Sequence, residues 1–220
     1  MLLRIWQLLF PPRCILCRQL LKKEETDLCH HCRENGPEVT KEKFKYSFIA
    51  RWCAIWYYKD EVRGSILRYK FYGRQSYCDV YGRLLAMKLH RCNLDDFDVL
   101  TWIPISALRR YRRGFDQVEL LANAVAAELG ISAVKVLKKI RHTPPQSRLK
   151  SAAQRRANIS GAYRVCDPDS VRGKRVLLLD DIITTGATIS ECARMLTLAG
   201  AAEVCCASVA VAPHENKNKK

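Results

Sequence analysis

The chain has 220 residues, 48% of them hydrophobic, and its 38 Lys and Arg against 22 Asp and Glu give a formal charge of +16 and a pI near 9.5. This is enough apolar material for one α/β domain with a small appendage, and it excludes neither a soluble enzyme nor a binding protein. The surplus positive charge exceeds what solubility requires and points to an anionic partner: a phosphorylated substrate, nucleic acid or both.

The first apolar run, Leu2 to Phe10, is short, is broken by Arg4 and Gln7, and leads into Pro11-Pro12. It therefore reads as a short amphipathic helix carrying Ile5, Trp6, Leu8, Leu9 and Phe10, and neither as a secretory signal nor as a transmembrane segment. Four of the 11 cysteines follow as Cys14-x-x-Cys17 and Cys29-x-x-Cys32. Two such knuckles offer four thiolates from two tight turns, which suits a tetrahedral structural Zn²⁺. Disulfides are the competing reading, but the other seven cysteines are scattered through apolar segments, as expected of reduced thiols in a cytoplasmic protein. His30 and His31 lie inside the second knuckle, where four cysteines already complete the shell. Residues 1–40 thus form a helix and zinc ribbon ending near Gly36-Pro37, with metal binding coupled to folding. A charged connector, Lys41 to Lys45, follows.

The main domain is expected over residues 41–215, with a basic tail at 216–220. Arg51 to Tyr58 reads as a strand. Asp60 is placed to cap a helix with Val62, Ile66, Leu67 and Tyr69, and Tyr81 to His90 forms a second helix. Between them Tyr69-Lys70-Phe71-Tyr72-Gly73-Arg74 is a basic aromatic patch, either a packed helix end or a nucleic-acid platform; Lys70 and Arg74 are DNA-binding candidates on the second reading. Asp98 to Ile105 is a buried strand containing Pro104. Beyond it lies Arg109-Arg110-Tyr111-Arg112-Arg113, where Arg110 and Arg112 are further DNA-binding candidates, although a solvated face explains such clusters equally well. Asp116 and Glu119 form a capping box with Asp in place of Ser, ahead of a helix with Val118, Leu121, Ala122, Val125 and Leu129. Ala133 to Ile140 is a third strand. From Arg141 to about Tyr163, Pro144-Pro145, high positive charge and weak apolar periodicity predict a long mobile loop.

The last third carries the most information. Val176 to Leu179 is apolar without alternation, as in a parallel strand covered on both faces. Then come Asp180-Asp181, the Thr184-Thr185-Gly186 loop, a helix with Ile189, Cys192, Ala193, Leu196 and Ala199, and a final strand, Glu203 to Val211. Strands alternating with helices give a doubly wound parallel sheet, whose ligands bind beyond the carboxyl ends of the strands. The loop amides and the helix N-terminus converge on a phosphate-sized spot, with hydroxyls from Thr184, Thr185 and Thr188, and Gly186 allows close backbone approach. Asp180 and Asp181 are placed to accept hydrogen bonds from sugar hydroxyls or to lie near a ligand's Mg²⁺. No Gly-Lys-Ser/Thr follows, so this is not a Walker loop.

The string from Val176 to Thr188 resembles the phosphoribosyl pyrophosphate (PRPP) signature of type I phosphoribosyltransferases. That resemblance implies a PRPP site of Asp180, Asp181, Ile182, Thr184, Thr185, Gly186, Ala187 and Thr188, with the acids on the ribose and the loop on the 5′-phosphate. Nearly the whole chain resembles the competence protein F family of phosphoribosyltransferase-like proteins. The features that carry this are Leu9-Phe10-Pro11-Pro12-Arg13-Cys14, the Tyr69-to-Arg74 patch, Arg112-Arg113-Gly114-Phe115-Asp116-Gln117, and Arg141-x-Thr143-x-x-Gln146 with Arg156 and Asn158. Asp116 stands where the family usually has Asn. The resemblance implies a pyrophosphate loop at Pro104-Ile105-Ser106 with Arg109 and Arg113 beyond it, and a lid over residues 141–163 bearing Arg141, Gln146 and Arg156.

Two functions follow. In one, the protein binds PRPP and supports natural transformation, handling single-stranded DNA alongside DNA-uptake proteins. In the other, it is an active transferase of phosphoribose to an unidentified base or amine, with Asp180 and Asp181 catalytic and Mg²⁺ bound with PRPP.

Overall fold

The computed structural model describes residues 11–40, 45–144 and 151–213. The expected N-terminal helix, most of the charged connector, Gln146 and the basic tail lie outside those residues.

A parallel sheet organises the chain. Its strands are β1 (Trp52–Tyr57), β2 (Val99–Trp102), β5 (Arg175–Ile183) and β6 (Glu203–Val211), in the order β1-β6-β5-β2. The register runs from Val99 opposite Val176 to Trp102 opposite Leu179, and from Arg175 opposite Glu203 to Ile183 opposite Val211. Leu177, Leu178 and Leu179 are fully buried, which explains the unalternated run: both faces of the central strand are covered. Alternate side chains feed two cores. Leu177 and Leu179 join residues of α2 (Asp60–Phe71), α3 (Tyr77–Arg91) and α5 (Gln117–Glu128), whereas Val176 and Leu178 join Ile189, Cys192, Ala193 and Leu196 of α7 (Ala187–Leu198). The chain from β2 leads to α5 and the chain from β5 leads to α7, so these adjacent parallel strands send their helices to opposite faces. A crevice opens at their carboxyl ends.

The cysteine ribbon is built into this domain. Ile15, Leu16, Leu28 and the buried cysteines belong to the same core as Val62, Ile66 and Leu85. Arg68 of α2 donates to the Ile15 and Leu16 carbonyls at 2.9 and 2.6 Å, and Arg83 of α3 contacts both Asp27 carboxylate oxygens at 2.8 Å. Within the ribbon, α1 (His30–Asn35) starts at Cys29.

Several expectations need correction. The predicted third strand meets the parallel sheet where Ala133 bridges Leu100 and where the Val136 amide donates to the Thr101 hydroxyl at 3.4 Å; the chain then leaves, and β3 (Leu137–Lys139) pairs antiparallel with β4 (Tyr163–Val165). The Cys166 amide donates to the Val136 carbonyl at 2.8 Å, so from Val136 onward the backbone groups go to the β4 side instead of the parallel sheet. The predicted loop over residues 141–163 contains α6 (Ala152–Ile159), started by a Ser151/Gln154 capping box, and the beginning of β4. Ile159, Ala162 and Tyr163 are buried and fix this segment to α7. Asp60 does not cap α2: Lys59 holds that position, and Asp60 is the first helical residue with φ 46°. The helix predicted from Tyr81 begins at Tyr77. Asp116 caps α5 by accepting from Val118 and Glu119 amides, but Glu119 turns to Arg110 at 2.9 Å instead of closing the box.

Candidate functional site

The acidic pair lies within β5, which continues to Ile183, and not after it. Consecutive strand residues point to opposite faces, so the two carboxylates have different surroundings. Asp181 is buried among α2 and α5: Lys70 donates to its Oδ1 at 2.8 Å and Gln117 to its Oδ2 at 2.7 Å. Gln117 in turn accepts from Arg113, whose guanidinium lies 4.8 Å from the centre of the Phe71 ring. Tyr69 donates to the Gln117 carbonyl, tying α2 to the start of α5. Asp180 accepts from the Asp181 amide at 2.8 Å. Burial and the adjacent Asp181 charge push the Asp180 carboxyl well above the usual carboxylate range, with Lys70 opposing them. Lys70, a DNA-binding candidate by sequence, thus has its ammonium in the shell of the acidic pair.

After β5 the chain makes a short loop into α7, with Thr184 exposed and Thr185 and Thr188 half-buried. Gly186 is the N-cap at φ 75° and offers no side-chain cap. The first-turn amides of α7 have no carbonyl one turn back to receive them, which leaves a concavity of positive partial charge. Gly186 is demanded by the fold itself: its φ is left-handed, and any Cβ would collide with the Tyr46 ring. That tyrosine is buried, its hydroxyl lacks a hydrogen-bond partner among the described residues, and burial pushes it up to about 12.

Across the crevice, the Ile105 amide donates to Asp116 at 2.9 Å, fixing the Pro104-Ile105-Ser106 turn. Ser106 then caps α4 (Ala107–Arg113). Arg109 donates to the Thr143 carbonyl at 3.0 Å, and His142 lies 3.4 Å from the Ser106 hydroxyl, so the start of the 141–163 segment rests on this turn. A cavity of about 140 Å³ there is lined by Pro104, Ile105, Arg110, Lys135, Lys138 and Lys139. Lys139, with its ammonium 5.0 Å from the Tyr163 ring centre, was not singled out by sequence reasoning. Burial, aided by Arg109, lowers its amine to about 8. Arg141 donates to the Asn158 and Ser160 carbonyls and closes the end of α6, while Arg156 is exposed. Arg110 pairs with Glu119, and Arg74 and Arg112 are exposed. A larger cavity, about 440 Å³, lies at the other end of β2, but two of its acids, Asp95 and Asp98, are engaged by His90 and Arg175. Among the described residues, the helix-start amides of α7 and the cations Arg109 and Lys139 stand together at the carboxyl-end crevice.

The sulfurs of Cys14, Cys17, Cys29 and Cys32 lie within 4.8 Å of one another, and those of Cys17 and Cys29 are 3.6 Å apart. Thiolates about 2.3 Å from one tetrahedral centre stand roughly 3.8 Å apart, so this set fits zinc. Burial disfavours the Cys14 thiolate, but hydrogen bonds from the Cys29, Cys17 and Leu16 backbone outweigh it and hold that thiol below its ordinary range. His30 and His31 are exposed. Among the described residues no helix is long and apolar enough to cross a membrane.

A parallel sheet with a phosphate-sized cradle at the carboxyl end of its central strand, joined to a four-cysteine ribbon, defines a phosphoribosyltransferase-like α/β protein with a zinc ribbon. Family models agree: the phosphoribosyl transferase domain matches residues 119–220 and the double zinc ribbon domain residues 5–43. Competence protein F of Haemophilus influenzae is 27% identical over 217 residues, covering 87% of this chain and 93% of that protein. Competence protein ComFC of Streptococcus pneumoniae is 29% identical, covering 87% and 96%. The DNA utilization protein YhgH of Salmonella typhi is 36% identical over 108 residues, covering 49% and 46%. The chain is a homologue of the competence protein F and ComFC proteins over most of its length.

Proposed function

We propose that this protein binds PRPP in the crevice between the ends of β5 and β2, and that it serves in natural transformation by handling single-stranded DNA in the cytoplasm beside DNA-uptake proteins. The observation that carries the PRPP reading is the cradle at the start of α7, which follows the central strand that holds Asp180. The 5′-phosphate is assigned to the amides from Thr184 to Thr188, with the threonine hydroxyls around it. Ribose hydroxyls go to Asp180 and, once Lys70 and Gln117 yield, to Asp181. The pyrophosphate, with its Mg²⁺, goes to the Pro104–Ser106 turn, where Arg109, Arg113 and Lys139 supply positive charge. The segment bearing Arg141, Gln146 and Arg156 then covers the ligand. The role in transformation is supported by the names of the competence and DNA-utilization relatives and by the charge of +16.

Calorimetric titration with PRPP and Mg²⁺ tests this. Binding should be measurable for the native protein and lost in Asp180→Ala/Asp181→Ala, with circular dichroism confirming the fold. Equal affinity in the two proteins would remove the site.

The second reading, an active phosphoribosyltransferase, is favoured by the cations at the pyrophosphate end. Loss of pyrophosphate builds positive charge on the ribose and negative charge on the leaving group; Asp180, once the ligand's Mg²⁺ favours its ionised form, is placed for the first and Arg109 and Lys139 for the second. Pyrophosphate release in the presence of a panel of bases and amines, but not in their absence, would support it.

A further inference from the structure

Helix α4 buries none of its seven residues. A helix this short is unstable unless a packed face or its ends hold it. Here the ends do so: Ser106 caps the start, Gly114 closes the other end in a left-handed conformation, and Arg110 and Arg113 reach Glu119 and Gln117. Yet its outward residues are not those of an ordinary solvated face. Leu108, Tyr111 and Arg112 share one side at helical spacing, and Tyr111 is 87% exposed. Beside this helix stand Phe71 and Tyr72, 62% and 72% exposed, at the end of α2. Arg113, two residues from Tyr111, leaves the helix on the opposite side, where it lies over the Phe71 ring.

We propose that the outer face of α4 is a stacking platform for the unpaired bases of single-stranded DNA, with Tyr111 at its centre and Arg112 taking a phosphate. The proposal rests on the single-stranded DNA reading above and gives it a location. Exposed aromatic faces gain nothing from folding here, but they stack any base, and interleaved guanidinium groups both stack and pair with phosphate. The occupant is identified by charge: α4 carries four arginines and no acid, on a chain of net charge +16. A duplex hides its base faces and fits such a platform poorly. The site is distinct from the PRPP crevice: Arg113, on the opposite side of α4, is the residue that turns to Phe71 and, through Gln117, to Asp181.

The test is fluorescence anisotropy of a labelled oligothymidylate with the full zinc-loaded protein, across a salt series. Tyr111→Ala should weaken binding about tenfold and Tyr111→Phe should keep most of it, because one stacked base contributes on that scale and the ring alone supplies it. Arg112→Ala should lower the log–log salt slope by about 0.7, the value for one phosphate contact on a single strand. Melting temperature and PRPP titration should be unchanged in both alanine variants. Native affinity in Tyr111→Ala, or an equal loss for duplex and single strand, overturns the platform and leaves DNA binding in place elsewhere; a surface used for a protein partner would give the first of these results. Failure of the unmodified protein to bind single strands overturns the DNA reading itself.

Discussion

Lys70 and Asp181, 111 residues apart in sequence, meet at 2.8 Å at the inner edge of the ligand crevice, with side-chain exposures of 16% and 6%. The contact fixes the end of α2 to the end of the central strand and competes with any hydroxyl that Asp181 is to receive. Removing one partner leaves a buried charge. Lys70→Met should therefore destabilise the protein by about 3 kcal/mol in urea unfolding. Lys70→Met/Asp181→Asn should recover a good part of that loss, because the stranded charge is gone. Additive losses in the double-mutant cycle would show that the two groups do not interact.

Lys139 makes the crevice sensitive to pH. Its amine, lowered from 10.5 to about 8 by burial, loses its charge as pH rises through 8. Affinity for PRPP should then fall by up to tenfold per pH unit above that point, and Lys139→Arg should flatten the profile. Stability moves the other way. Between about 8 and 10.5 the unfolded chain binds more protons at this lysine than the folded one, so its contribution to stability rises with pH. An identical pH profile in the arginine variant would assign the fall to another group.

Much of this was legible in the chain because local chemistry determined it. The unalternated Val176–Leu179 run, the cysteine knuckles and the Thr-Thr-Gly turn each announce an environment that few arrangements satisfy. The 141–163 segment was misread because Pro144-Pro145 and its charge outweighed the Ser151-x-x-Gln154 capping signal, which was present in the sequence. Other features were unreadable in principle. Nothing local distinguishes Lys70 from a surface lysine, or Lys139 from its exposed neighbour Lys138; their environments come from β5 and β4, far along the chain. Gly186 was expected to admit a ligand, and its closest neighbour is Tyr46.

Tight packing of α3 against α5 provides a test of the fold. Gly82 is buried within α3, and a Cβ there would lie 2.6 Å from the Ala124 Cβ and 2.8 Å from its carbonyl carbon. Alanine in place of glycine normally favours a helix by about 1 kcal/mol. Here the helices would have to separate, so Gly82→Ala should instead lower stability by about 1–3 kcal/mol. Gly82→Ala/Ala124→Gly should recover part of it. A rise in stability for the single variant would mean that the helices are farther apart than described.

Zinc should stabilise the whole domain and not only its own ribbon. Ile15, Leu16 and Leu28 share a core with Val62 and Ile66 of α2, and Arg68 of the same helix holds the Ile15 and Leu16 carbonyls. Two residues beyond Arg68 is Lys70, on Asp181. A ribbon of this size folds only around its metal, so Cys14→Ser or a strong chelator should release about one Zn²⁺ and free those carbonyls from Arg68. Loss of the shared apolar contacts should then lower the melting temperature of the main transition and reduce amide protection in α2. Because α2 positions Lys70, PRPP affinity should fall as well, through α2 and not through a ribbon residue. Elemental analysis, hydrogen exchange and calorimetry on the same preparation separate these effects. Zinc loss that leaves both α2 protection and PRPP affinity unchanged would show that the ribbon is mechanically independent of the site.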